Sequence, residues 1–360
     1  MNNYARALAS VGIDVYLISA SLSLSKDVFI EVEPHIFACK GSYKTRKGRD
    51  VAFALGVAKK LRAFINSIGD QVSILNYPTT GSLVFDIVLL LFCRKHRLYC
   101  EVNEVRRYAS EMKETLSRKL YNFILELTYR WYDGVVFISS NIHKYYTSIV
   151  KKSIVIPILS DCSSPFAPSR GIDTCDIVFV GTISFEKENL MELLEGFSLY
   201  CNTNPEITLA LYGFISEEDK KKLNGFIGLS GVNDRIKYLG PIEHSMVATV
   251  LSSAGALVLP RTNNKQNYYG FSTKLSEYAT SGAPIILTDT GVVSSFFKDG
   301  QNCLMCDGYD RLAFYKKFKE WGEMSISEKT YLAKNAYQTA KSCFDYHNYA
   351  KALAVFLAPM

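Results

Sequence analysis

The sequence predicts an α/β protein made of two doubly wound parallel-sheet domains, at 1–165 and 172–340, facing each other across a cleft. Three observations predict it. Short apolar runs of strand length alternate with helical patterns along the whole chain, the pattern of parallel sheets covered on both faces. The alternation is broken once, by SDCSSPFAPSRG at 160–171, a Ser- and Pro-rich stretch that reads as a linker. The 360 residues, 48% hydrophobic and 21% charged, suffice for two cores and match neither a disordered nor a collagen-like composition.

Taken in order, the first half offers strands at DVYLIS (14–19), QVSILN (71–76), RLYCEV (97–102), GVVFIS (134–139) and SIVIPI (153–158). Helical patterns lie near 51–67, 82–95, 109–132 and 140–149. The second half offers DIVFVG (176–181), ITLALYG (207–213), RIKYLG (235–240), GALVLP (255–260) and APIILT (283–288), with helices near 187–201, 217–228, 243–253, 273–281 and 309–322. The opening, MNNYARALASVGIDVYLIS, reads as a helix followed by a strand. A doubly wound domain ordinarily starts with a strand and a loop before that helix, so either the natural chain starts upstream or this domain lacks one inner strand.

The longest apolar run, LVFDIVLLLFC (83–93), contains Asp86 and is too short to span a bilayer, so it reads as a buried helix. No signal peptide is apparent, which predicts a cytoplasmic protein. The nine cysteines lie mostly within apolar runs and read as buried thiols. Cys303-Leu304-Met305-Cys306 has no second pair at zinc spacing and reads as two core cysteines.

Charge is uneven. Residues 1–160 hold 22 Lys and Arg against 13 Asp and Glu, a net of +9, and the remainder holds 19 against 22, a net of −3. The first-half cations cluster in YKTRKGR (43–49), KKLR (59–62), CRKHR (93–97) and RR (106–107). They are either solvated faces or a docking surface for something anionic, a membrane or a lipid diphosphate. Nucleic acid is the weakest of the anionic partners, because no nucleic-acid motif accompanies the charge, and no nucleic-acid partner is expected.

In open α/β sheets ligands bind beyond the carboxyl ends of the strands. Lys187 follows Gly181 by six residues at a helix start, where lysine and free N–H groups suit a phosphate, though a surface lysine at a helix start is common. Arg261, at the end of GALVLP, either grips a phosphate or carboxylate through two parallel hydrogen bonds or caps a neighbouring helix. Gly270 admits close backbone approach, and Phe271, Ser272 and Thr273 present N–H groups at a helix mouth. Glu277 lies four residues past Thr273 on the same helix face. A diphosphate at the mouth with a ribose at the acid fits one elongated ligand, a nucleotide sugar; an ordinary helix cap with a solvent-facing Glu fits the segment too. In the first half, Glu101, Asn103 and Glu104 end RLYCEV, where they either meet a sugar or serve as loop caps.

The runs FVGTISFEKENLMELLEGF, LYGFISEE, IKYLGPIEHSMVATVLSSAGALVLPR and GFSTKLSEYATSGAPIILTDTGVVSSFFKDGQNCLM, in this order over 176–306, resemble the donor-binding domain of family-4 glycosyltransferases of the GT-B fold, the glycosyl transferases group 1. RLYCEVNE, WYDGVVFISSNIHKYY and IVIPILSD match that family's first domain more loosely. The resemblance implies that 345–360 is a closing helix returning to the first domain. It implies a retaining transfer of a sugar from a UDP- or GDP-sugar to a hydroxyl acceptor, with no cofactor and no metal. Lys187 would steady the diphosphate and the charge growing on it, joined by the amides of Gly270, Phe271, Ser272 and Thr273. Glu277 would bind the ribose, and the Gly240-Pro241-Ile242 loop would hold the base. Gly181, Thr182, Gly213 and Lys274 complete the implied donor site.

The sequence departs from the family in three places, the most serious being the missing opening strand, whose loop normally lines the acceptor side of the cleft. Tyr269 stands where many members carry the first acid of Glu-x7-Glu, and Thr182 stands where many carry Arg. Arg261 or Lys274 is expected to supply the missing positive charge, which adds Arg261 to Lys187 and Glu277 as a catalytic candidate. The acceptor is expected to be a lipid-diphosphate-linked glycan of a surface polysaccharide (capsule, O-antigen or exopolysaccharide), met at the inner membrane face. A non-catalytic GT-B partner protein is the alternative, and a nucleotide-sugar epimerase a weaker one, since His35, His96, His143, His244 and His347 show no grouping with paired acids.

Overall fold

A computed structural model describes residues 3–18, 29–39, 51–69, 72–77, 83–109 and 115–358. The basic run at 43–49 lies wholly outside the described residues, and the strands read at 14–19 and 71–76 are described only to 18 and from 72. The chain divides into two compact units, Met1–Leu159 with Tyr346–Met360, and Ser160–Asp345.

The first unit runs α1 (Asn3–Ala9), β1 (Val15–Leu17), β2 (Phe29–Glu33), β3 (Ile36–Cys39), α2 (Val51–Ile68), β4 (Ser73–Asn76), α3 (Leu83–Phe92), β5 (Arg97–Val102), α4 (Leu116–Thr128), β6 (Gly134–Phe137), α5 (Ser140–Tyr146) and β7 (Ser153–Val155). The expectation of one parallel sheet here is corrected. Among the described residues there are two sheets, a parallel β4-β5-β6-β7 and a separate β1-β3-β2. Within the second, β2 and β3 form an antiparallel hairpin that the reading of the sequence passed over. Pro34 and His35 make its turn, closing between Glu33 and Ile36. His35 takes a positive φ of 63°, unusual for a residue with a side chain, and is held there by Asp14 on its Nδ1 at 2.7 Å and by Glu31, which accepts from its backbone N–H at 2.9 Å.

The rest of the first unit's core is closed from the far end of the sequence. Helix residues Leu353 and Phe356 bury against Tyr99 and Val136 with Tyr4 and Ala7. Gly134 admits this packing, since a Cβ there would stand 2.7 Å from the Phe356 ring. Lys152 donates to the Phe356 carbonyl at 2.9 Å.

The second unit runs β8 (Asp176–Val180), α6 (Leu190–Cys201), β9 (Thr208–Tyr212), α7 (Glu217–Ser230), β10 (Ile236–Gly240), α8 (His244–Leu251), β11 (Ala256–Leu259), α9 (Lys265–Tyr269), α10 (Thr273–Thr280), β12 (Ile285–Thr288), β13 (Leu304–Cys306), α11 (Arg311–Glu323) and α12 (Ile326–Cys343). The helix of the first unit that follows is α13 (Ala350–Leu357). All six strands of the second unit are parallel, in the order β10-β9-β8-β11-β12-β13. Strands β11 and β12 are buried along their whole length, which is why they read as unbroken apolar runs. Phe179, Leu193, Phe197, Leu209, Phe314 and Trp321 fill the core between sheet and helices. Cys303 and Cys306 are free, buried thiols beside and within β13, and burial pushes Cys306 up to about 12. Among the described residues no helix is long and apolar enough to cross a membrane.

Candidate functional site

In the second unit the strand order reverses direction between β8 and β11, so the loops leaving these neighbours part and open a crevice at their carboxyl ends. Gly181 ends β8 and Arg261 follows β11, and backbone contacts tie the two loops together. Glu188 bridges to Arg261, and Asn189 donates its N–H to the Pro260 carbonyl. The floor requires glycine twice. Gly181 and Gly213 have φ of 153° and 141°; a Cβ on Gly213 would stand 1.7 Å from the Gly181 carbonyl oxygen, and one on Gly181 would stand 2.0 Å from Cε of Lys274.

Beneath this floor lies an ion network. Glu188 is 1% exposed and accepts from Lys274 Nζ at 2.7 Å. Its other oxygen is 3.4 Å from Arg261 Nε. Arg261 also donates from Nη1 to Asn267 Oδ1 at 3.0 Å and from Nη2 to Ser272 Oγ at 2.8 Å. The Lys274 amine also lies 4.3 Å from the centre of the Phe179 ring. Burial lowers Lys274 to about 8; Glu188 opposes the fall and Arg261 adds to it. Two cations therefore face one buried carboxylate, leaving one positive charge to be met by something else.

Helix α10 opens on this cluster. Ser272 is its N-cap but makes no capping bond with its side chain, because its Oγ accepts from Arg261. The first turn thus presents backbone N–H groups without a side-chain cap, beside the surplus cation. Tyr278 fixes the helix to the end of β8, accepting from the Val180 N–H at 2.9 Å and donating to the Val180 carbonyl at 3.2 Å.

The other expected residues fall around this centre. Thr182 and Lys187 are exposed in the loop after β8; the Lys187 carbonyl accepts from Asn267 at 3.0 Å and Thr262 at 3.1 Å, which fixes the loop's path. Gly270 has φ −69° and ψ 173°, a conformation open to any residue, so its value is space: a Cβ would sit 3.0 Å from the Gln266 carbonyl. Phe271 is a buried anchor packed on Phe296 and Phe344. Thr273 and Glu277 are exposed on α10. The protein around its base raises the Glu277 carboxyl, while His244 and Lys274 pull it down. Ile242 lies half-buried in the turn before α8, and His244 opens that helix.

In the first unit Glu101 ends β5 half-buried, and the Tyr4 hydroxyl approaches it at 3.5 Å. Burial raises its carboxyl to about 7, and the Tyr4 hydrogen bond offsets part of that rise. Asn103 is exposed, and Glu104 pairs with Arg106 at 2.9 Å.

Residues 170–339 match the family model described as glycosyl transferases group 1. The second unit is thus a glycosyl transferases group 1 domain. The solved structures that resemble the chain share its fold at low sequence identity. Sucrose-phosphate synthase from Thermosynechococcus elongatus superposes with a TM-score of 0.72 at 16% identity, covering 98% of this chain and 90% of its own. Alr3699/HepE from Anabaena, solved in complex with UDP and glucose, gives 0.68 at 14%, covering 90% and 86%. A TarM variant from S. aureus, in complex with fondaparinux, alpha-GlcNAc-glycerol and UDP, gives 0.67 at 14%, covering 86% and 59%. The fold they share is GT-B, two Rossmann-like units in one chain. No curated protein matches the sequence.

Three residues of this candidate site escaped the reading of the sequence. Glu188 and Asn267 were hidden because their partners are 86 and 80 positions away in the contacts with Lys274 and Lys187. The signal for Glu188 was an acid directly after a loop lysine, in a loop bound for a crevice. His244 was visible only as one of five scattered histidines.

Proposed function

We propose that the chain is a retaining glycosyltransferase that moves a sugar from a UDP- or GDP-sugar to a hydroxyl of a lipid-diphosphate-linked glycan, in the building of a surface polysaccharide at the inner face of the membrane. The observation that carries the donor half is the unbalanced buried cluster of Lys274, Arg261 and Glu188 at the mouth of α10. A diphosphate there meets the surplus charge and the uncapped N–H groups together. That UDP occupies two of the similar structures favours UDP over GDP.

In this reading Lys274 supplies the cation that Thr182 does not, and Arg261 acts by holding Ser272 and Glu188 in place. Lys187 reaches the outer phosphate, Glu277 takes the ribose hydroxyls, and the backbone around Ile242 takes the base. As the donor bond breaks, the leaving phosphate gains charge and these groups stabilise it, so that fixed cations do the work a metal would otherwise do. The leaving phosphate takes the acceptor's proton, and no separate side-chain base is required. The first unit is assigned the acceptor, with Glu101, Asn103 and Glu104 as hydrogen-bonding groups.

The test is a thermal-shift panel of UDP, GDP, ADP and CMP on wild type and Glu277→Ala. A selective ligand raises Tm by mass action. Stabilisation by one diphosphate, weakened in Glu277→Ala, is the expected result; no shift with any of the four overturns the donor reading. The anomeric configuration of product made from the matching donor, read by NMR, decides between retention and inversion.

A further inference from the structure

Helix α4 is built inside out. Its inward face carries Asn122, Glu126 and Thr128 beside Leu125, all buried. Its outward face carries Leu116, Leu120 and Phe123, which are 84%, 58% and 52% exposed, with Ile124 beside them. At 100° per residue these apolar positions, with half-buried Leu127, form one stripe along the helix. Trp131, in the turn that follows, is 58% exposed as well. An ordinary surface helix does the opposite, so something other than this unit's core sets the pattern.

The charges say what. Between Thr115 and Trp131 the cations are Arg118, Lys119 and Arg130, and the one acid, Glu126, is turned inward and bonded by the Tyr146 hydroxyl at 2.9 Å. Beside exposed Thr115 and Ser117 at its start, the segment therefore shows solvent apolar and basic groups and no acid, with a Trp at its edge. That is the make-up of a helix lying in the interface of an anionic bilayer: the stripe sinks to the acyl boundary and the cations meet the headgroups. Two copies paired through the stripe about a two-fold axis would bring the same cations together with no outward acid in the segment to answer them.

We propose that α4 and the turn after it seat the first unit on an anionic lipid bilayer. This extends the membrane part of the functional reading, but vesicle binding needs neither donor nor acceptor, so each can fail without the other.

The test uses the full chain with phosphatidylcholine vesicles, with and without 30% phosphatidylglycerol as a roughly typical anionic content, in a flotation assay and by tryptophan fluorescence. The protein has two Trp, and Trp321 is 1% exposed, so a change on lipid addition reports Trp131. The expected result is flotation with the anionic vesicles, at least ~10-fold weaker without phosphatidylglycerol or at ~0.5 M salt, with a blue shift that Trp131→Phe removes. Leu120→Glu with Phe123→Glu should abolish flotation while preserving the circular dichroism spectrum. Because both sites are exposed, the fold does not depend on them; should the pair fail to fold, Lys119→Glu with Arg130→Glu serves in its place. Absence of flotation by wild type, or flotation unchanged in the variants, overturns the proposal. So does a dimer that the Glu variants dissolve in a protein that ignores vesicles.

Discussion

The amine of Lys274 lies 2.7 Å from the carboxylate of Glu188, and its side chain packs against the bare Cα of Gly181. The contact joins residues 86 positions apart and sets a buried cation at the mouth of α10. It is the relationship on which the donor reading turns.

Lys274→Met keeps most of the volume and removes the charge. Donor affinity should fall roughly 10- to 100-fold, the range of one charge-assisted hydrogen bond. Isothermal titration with the diphosphate selected by the thermal-shift panel measures it.

The same group predicts a pH dependence. With Lys274 lowered to about 8, kcat/KM should decline above pH 8 as the free enzyme loses this proton, and Lys274→Met should lack that limb. Stability moves the other way. Between about 8 and the ordinary lysine value of 10.5 the unfolded chain holds more protons at this position, so the group's contribution to stability rises with pH. Urea midpoints and kcat/KM across this window should therefore diverge.

Gly181→Ala places a methyl where Lys274 now lies, 2.0 Å from its Cε. The lysine must leave Glu188, and the strained φ adds a cost of about 1–3 kcal/mol. Loss of diphosphate binding with a lower Tm is expected; a variant that binds as wild type would mean the contact is dispensable.

Arg261→Ala should lower turnover at least ~100-fold, the scale expected when groups around a reacting centre lose their positioning. It strips partners from Glu188, Asn267 and Ser272 at once. A fall in Tm should accompany the kinetic loss, in contrast to exposed Lys187→Ala, which should alter kinetics alone.

In the first unit, Glu101 is raised from an ordinary 4.5 to about 7. Between these values the unfolded carboxyl has already lost its proton while the folded one keeps it, so the group lowers stability as pH rises through the window. Glu101→Gln should remove that dependence and stabilise the protein at pH 8, by up to about 3 kcal/mol for a shift of this size. Chemical denaturation at pH 5 and 8 compares the two.

Much of this was legible in the sequence. The six parallel strands of the second unit follow from apolar runs broken by helical patterns, and five of them were read at their places; the short β13 was noticed only as the stretch around Cys303. Arg261 and Ser272 stood out because strand ends and helix mouths constrain which residues stand there, and Gly181 and Lys274 through the family resemblance; the structure brings the four together. The β2–β3 hairpin was missed although Phe29–Glu33 and Ile36–Cys39 are separated by just Pro34 and His35, a short-turn signal overlooked in favour of strand-helix alternation. The Glu188 network was beyond reach for another reason. A contact between loops far apart in sequence leaves no local pattern, and an acid beside a lysine looks like any solvated pair. The periodicity of helix α4 gives the direction of an apolar stripe but not whether that stripe faces the core.

The packing of α13 bears on how the protein is made. Leu353 and Phe356 sit in the core of the first unit, against Tyr99 and Val136. On the ribosome, residues 160–345 can emerge and close their own sheet while that core still lacks its lid. The part synthesised first is thus completed last, and it waits through the whole translation of the second unit with an apolar face open to chaperones. A stop codon shortly before residue 350 would leave the second unit whole and the first permanently unfinished.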